Sequence, residues 1–165
     1  MKLSAQEEYG LRCLLQIGRT GAGGSLTIPE ISRLEGISSH YVAKIMRILR
    51  RGGFVTAERG QAGGYTLARP AAEINVGEVL AHLGGRLFES GFCETHAGSV
   101  ESCTHSIDCS IRSLWRGVQV LVDEVLSHTT VGDLLGDEQA TRVYVGDLVH
   151  VGQLKLKNAQ AMIKN

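Results

Sequence analysis

The stretch from Ile28 to Leu67 constrains the fold most, because its hydrophobic rhythm changes from helical to strand-like within forty residues. Thr27 stands where a helix N-cap belongs, ahead of Ile28, with Glu30 three residues on as its capping-box partner. A short helix Ile28–Leu34 then stops at Gly36, and Ser38 or Ser39 caps a longer one. In this second helix Val42, Ile45, Met46 and Leu49 are spaced by three, one and three, which places them on one face. His40, Tyr41, Lys44, Arg47, Arg50 and Arg51 lie largely off that stripe. Two helices joined by a short glycine-containing turn form the helix-turn-helix pattern, whose second helix enters the major groove of DNA.

The next residues fit a DNA-binding module as well. After Gly52-Gly53 comes the β-prone run Phe54-Val55-Thr56-Ala57, then Arg59-Gly60-Gln61-Ala62-Gly63-Gly64, then Tyr65-Thr66-Leu67. Two strands around a glycine-rich tip make a hairpin, and a hairpin directly after a recognition helix is a wing. Ser38, Ser39, His40, Tyr41 and Lys44 fall at the start of the recognition helix, where base edges are reached. Arg47, Arg50, Arg51 and Arg59 suit phosphate or the minor groove, and Gln61 belongs to the wing tip. The glycines are no dinucleotide fingerprint, since they neither follow a βα turn nor open a helix.

Charge divides along the chain in the same sense. Residues 1–70 hold ten Lys and Arg against five Asp and Glu, whereas residues 71–165 hold seven against twelve, so a neutral total hides a basic front. A length of 165 residues with 43% hydrophobic and 21% charged residues suits one globular domain and excludes a disordered or fibrous chain. No apolar run approaches the roughly 20 residues that span a bilayer, and MKLSAQEEYG lacks a signal-peptide pattern. The expectation is a cytoplasmic protein without a membrane partner, whose four cysteines are thiols or metal ligands.

Ahead of the helix-turn-helix, Leu3, Leu11, Leu14, Leu15 and Ile17 give a helical rhythm ending before Gly18, with Cys13 in the core. Beyond the wing, Ile74–Leu83 reads as a short helix closed by Gly84-Gly85. From Ile111 a wide apolar stripe returns, with Leu114, Trp115, Val118, Leu121, Val122, Val125 and Leu126. Such width exceeds what a small domain covers, so part of it packs on a partner, and a two-fold dimer would set two recognition helices one DNA turn apart. Between these helices the polar segment 88–110 carries Cys93, Cys103 and Cys109, spaced C-x9-C-x5-C. Zinc sites favour cysteine pairs two to four residues apart, and three thiolates from one segment suit an iron–sulfur cluster. Spacing alone leaves cluster, zinc and redox thiol open. The tail 137–165 shows β-like alternation at Val143, Val145, Val149, Val151, Leu154 and Leu156, consistent with a small hairpin, an added contact or partial disorder.

These pieces together resemble the winged-helix regulators that include the iron–sulfur regulator IscR, the nitric-oxide sensor NsrR and the iron regulator RirA. The resemblance rests on MKLS…YGLR, ISRLEGISSHYVAKIMRILRRGGFV, RGQAGGYTLARP, INVGEVL, the cysteine segment and SLW…TTVGDLL, covering residues 1–135. It implies a mainly α fold with a small β wing: a winged helix-turn-helix over 1–84, a cluster loop over 85–110, a dimerisation helix over 111–136, and a tail. It also implies a homodimer on double-stranded operator DNA, controlled by a 2Fe–2S or 4Fe–4S cluster on Cys93, Cys103 and Cys109. The x9 gap is longer than the family's usual first gap. Arg112 occupies the position of a histidine ligand in IscR-like members and has no lone pair to give. Glu8 matches the acid that completes the cluster from the other subunit in NsrR-like members, and His105 and His96 are local alternatives. A cluster-free thiol switch is the neighbouring reading. A thiol- or metal-handling enzyme is disfavoured by the lack of C-x-x-C, a phosphate loop or a paired carboxylate and histidine, and no small-molecule substrate is expected.

Overall fold

A computed structural model describes residues 3–58, 60, 63–86, 91–96, 103–105 and 107–163, the side chains of 154–163 excepted. Helix α1 spans Ala5–Arg19, α2 Ile28–Glu35 and α3 Ser39–Arg51, followed by strands β1 (Val55–Glu58) and β2 (Gly64–Leu67). Helices α4 (Val76–Gly84), the one-turn α5 (Phe92–Thr95), α6 (Ser110–Ser127) and α7 (Glu138–Ile163) complete the order, with 3-10 turns at Ala71–Glu73 and Asp133–Leu135. The architecture is mainly α with a two-stranded antiparallel sheet, a winged helix-turn-helix.

Local chemistry accounts for the helix starts. Ser4 with Glu7, and Thr27 with Glu30, form complete capping boxes on α1 and α2, and Asn75 caps α4 through the Glu78 amide at 3.1 Å. Gly36 closes α2 in the left-handed region at φ 66°, which a side chain rarely adopts, and so supplies the sharp turn into α3. Strand pairing runs from Val55 opposite Leu67 to Glu58 opposite Gly64. A bridge between Leu26 and Tyr65, with N–H···O distances of 2.8 and 3.0 Å, ties the wing to the loop before α2.

One core gathers Cys13, Leu14 and Ile17 of α1, Ile31 of α2, Val42, Ile45, Met46 and Leu49 of α3, Val79 and Leu83 of α4, and Val131. Close helix approach depends on Gly10, where a Cβ would run into the Leu83 side chain.

Several expectations are corrected. Helix α1 continues through Gly18 to Arg19, because Gly18 is a contact surface for Leu135 and not a stop; a Cβ there would lie 3.1 Å from Leu135 Cδ2. Leu3 lies outside α1 and is exposed. Helix α4 begins at Val76, and Ile74 is buried from the turn before it. The long helix closes at Ser127. Residues 129–136 turn back onto the winged helix, with the Val131 amide donating to Ile74 O (2.8 Å) and the Val76 amide to Thr129 O (2.9 Å). The largest correction concerns the tail: the alternating valines do not form strands but belong to α7, 26 residues long. Its half-buried Thr141, Tyr144, Val145 and Leu148 and its buried Gly152 recur at helical spacing, and this face packs antiparallel along α6. Tyr144 donates its hydroxyl to His128 O, and Gly152 lies beside Glu124 and Leu121. Valines at every second position mimic a strand, while the burial follows the 3.6-residue period.

Candidate nucleic-acid interface

Helix α3 divides its two faces sharply. Val42, Ile45, Met46 and Leu49 are buried, whereas Ser38, Ser39, His40, Lys44, Arg47, Arg50 and Arg51 are exposed. Ser38 is the N-cap, its hydroxyl accepting the Tyr41 amide at 3.3 Å, so the start of the helix is short, polar and open to a groove. No acidic residue stands in α3, and four cations on one exposed surface make it an anion-seeking face. Tyr41 differs from its neighbours. It is half-buried, meets Tyr9 of α1 nearly at right angles (centroids 5.9 Å apart), and carries the Lys44 ammonium 5.7 Å from its ring centre.

Arg50 lines a shallow groove of about 410 Å³ between the start of α2 and the wing, together with Thr27, Pro29, Glu58, Gly63 and Tyr65. The Thr27 amide, with its hydroxyl, holds the Glu30 carboxyl below its usual range. Sequence reasoning missed the start of α2 as part of this surface. Its capping box was legible, but its position beside the wing depends on the Leu26–Tyr65 bridge. Arg59 and Gln61 lie outside the described residues.

Behind the reading face, the Glu35 side chain at the end of α2 is only 6% exposed. Arg12 of α1 binds it through Nε and donates a second bond to the Glu35 carbonyl at 3.0 Å, while Gln16 Nε2 reaches the other carboxylate oxygen at 2.5 Å. The carboxylate raises the Arg12 guanidinium pKa further above its already high ordinary value.

The candidate sensor residues are spread over several elements. Cys93 lies in α5, Cys103 in irregular backbone just ahead of a turn at 104–105, and Cys109 at the N-cap of α6, where its sulfur accepts the Arg112 amide at 3.3 Å. All three are half-buried, and all four cysteines are free thiols. Glu8 is exposed in the first turn of α1. His96 stacks on Phe92 with ring centres 4.0 Å apart, its Nδ1 2.8 Å from Phe92 O, and His105 is exposed. Among the described residues, no group of three or more His, Cys, Asp or Glu converges as a metal would need. The donor chemistry, three accessible thiols in one segment, suits iron. Their present placement does not preassemble a site. Burial pushes the Cys13 thiol up to about 12, so this fourth cysteine is a core group.

The family model described as "Rrf2: Iron-dependent Transcriptional regulator" matches residues 3–137. The chain belongs to the Rrf2 family. It is a helix-turn-helix transcriptional regulator and not an enzyme. Protein rrf2 of Nitratidesulfovibrio vulgaris is 32% identical over 143 residues, covering 83% of this chain and 89% of that protein. Among solved structures, CymR, the global cysteine regulator of B. subtilis, superposes with a TM-score of 0.67 at 27% identity, covering 82% of this chain and 96% of CymR. IscR of T. potens gives 0.64 at 28% identity, covering 82% and 86%. The match to the Rrf2 family model ends before α7.

Proposed function

We propose that this Rrf2-family protein acts in the cytoplasm as a homodimer that binds double-stranded operator DNA by sequence and adjusts that binding through its cysteine segment. The observation that carries the reading is the acid-free, cationic outer face of α3, which lies beside a wing in a family of transcriptional regulators. Ser38, Ser39, His40, Tyr41 and Lys44 are assigned to base edges, and Arg47, Arg50, Arg51, Arg59 and Gln61 to backbone and minor groove. Dimerisation is assigned to α6, whose Ile111, Leu114 and Trp115 lie at helical spacing on one exposed apolar face of a helix otherwise packed against α4 and α7.

The cysteine segment is assigned the sensing role. Cys93, Cys103 and Cys109 would hold an iron–sulfur cluster, completed by the partner's Glu8 or by His105 or His96, and the assignment is supported by the soft donor set and the likeness to IscR. When bound, a cluster supplies a reversible electron-accepting centre that is reactive toward oxidants and nitric oxide. The chain's own part is structural: Cys109 caps α6, so any change at its sulfur acts on the first turn of the helix assigned to the dimer. A second reading, a cluster-free thiol switch, is favoured by the three thiols standing apart and by the likeness to CymR.

One experiment separates them. Protein purified without air is assayed for iron and acid-labile sulfide, then titrated with duplex DNA over a range of salt. The cluster reading expects stoichiometric iron and a visible spectrum lost on changing any of the three cysteines to alanine, with Glu8→Ala leaving a more labile chromophore. Colourless, iron-free protein whose DNA affinity responds to thiol oxidation selects the switch. DNA binding itself expects a log–log salt dependence whose slope falls by about one unit on removing a phosphate contact such as Arg50. Salt-independent or absent binding overturns it.

A further inference from the structure

Four side chains, two on α1 and two on the recognition helix, form a continuous ladder. On α1, Arg12 lies over the Tyr9 ring, its guanidinium carbon 5.4 Å from the ring centre. On α3, Lys44 lies over Tyr41 at 5.7 Å. Each of these pairs is three residues apart on its own helix, so helix geometry alone brings its members together. The two rings then meet across the helix boundary, 5.9 Å apart and 89° to each other, an arrangement favoured by the quadrupoles of the two rings. The far end is fixed by Glu35, whose buried carboxylate and backbone carbonyl both receive Arg12. Every step therefore restricts the next, from an immobilised guanidinium to a ring, to a second ring, to the ammonium of Lys44.

We infer that Tyr9 is a positioning residue for base reading: its ring, clamped by Arg12 and Glu35, fixes Tyr41 and through it the reach of Lys44 into the groove. Lysine is otherwise a flexible point charge on a four-carbon stem, and an unrestrained ammonium neutralises phosphate without choosing between bases. A lysine held against a ring samples fewer directions. Tyr9 contributes no contact of its own to DNA. Its effect on affinity is an effect on discrimination, and the inference rests on the DNA-binding reading above.

The test uses the full-length dimer and a pool of randomised duplexes, from which wild type selects a preferred sequence. Affinities are then measured for that duplex, its single-base-pair variants and a random duplex. Loss of a cation–π restraint at an exposed site corresponds to about two- to fivefold in an equilibrium constant. Tyr9→Leu is therefore expected to lower discrimination by that factor and leave the salt slope unchanged, while Tyr9→Phe, which keeps the ring, restores it. In a Lys44→Ala background Tyr9→Leu has no further effect on discrimination, since the group being positioned is gone. Should Tyr9→Leu fail to fold, Tyr41→Leu removes the next ring and is expected to give the same loss. A variant that weakens preferred and random duplexes equally, or whose effect adds in full to that of Lys44→Ala, overturns the positioning role and leaves DNA binding standing. Wild type without salt-dependent duplex binding overturns both.

Discussion

Replacing Arg12 by methionine removes both of its bonds to Glu35 while keeping most of its aliphatic length. The Glu35 carboxylate, 6% exposed, would then retain Gln16 at 2.5 Å as its neighbour. Breaking a fully buried ion pair from one side costs about 3–5 kcal/mol, and a hydrogen bond to a charged group is worth about 1.5–3 kcal/mol. Arg12 is 41% exposed, so water reaches the vacated site and lowers the cost. The expected destabilisation is about 2 kcal/mol, or a melting temperature lower by about 4–8 °C for a chain of this size. Urea unfolding followed by far-ultraviolet circular dichroism at neutral pH measures it. The companion Glu35→Gln and the double variant complete a cycle whose coupling energy should be about 1 kcal/mol, because the neutral amide no longer needs a counter-charge. A loss under about 0.5 kcal/mol for Arg12→Met, or a double variant equal to the sum of the singles, would refute the claim that this pair fastens α1 to the end of α2.

Four other outcomes are expected. Gly10→Ala should destabilise by about 1–3 kcal/mol, since its methyl would press into Leu83; in a background of Leu83→Ala its cost should shrink, and equal costs in both would count against the close approach. In the native apo protein an aromatic disulfide reagent should titrate the half-buried Cys93, Cys103 and Cys109 promptly and Cys13 only on unfolding. Because burial holds the Cys13 thiol neutral up to about 12 while an unfolded thiol ionises near 9, stability is intact below pH 9 and falls as pH rises above it. Cys13→Ala should flatten that fall by up to about 1.4 kcal/mol per pH unit, and parallel pH profiles would contradict the buried thiol. Trp115→Glu, on the exposed face of α6, should shift the sedimenting species from dimer to monomer with an unchanged helical spectrum; an unaltered dimer would move the interface elsewhere.

The sequence by itself determined the elements whose signals are local. Capping boxes at Ser4 and Thr27 act within four residues, the stripe Val42–Leu49 is written at helical spacing, and the glycine-flanked β runs permit little but a hairpin. Exposure of Lys44, Arg47, Arg50 and Arg51 followed from that same stripe, because burying one face of a helix commits the other to solvent. Tertiary structure alone decided the rest. Gly18 reads as a helix stop until Leu135 is seen against it, and the valines of 143–151 read as a strand until α6 supplies a surface for their helix. The ladder from Glu35 to Lys44 joins residues on three helices, and no local spacing encodes which ring meets which. The pairs Tyr9–Arg12 and Tyr41–Lys44 are local to their helices, and only the packing of α1 against α2 and α3 joins them to Glu35 and to each other. The physical reason is one of range: caps and periodicities are set by backbone geometry over a few residues, whereas contacts between helices depend on how the whole core closes.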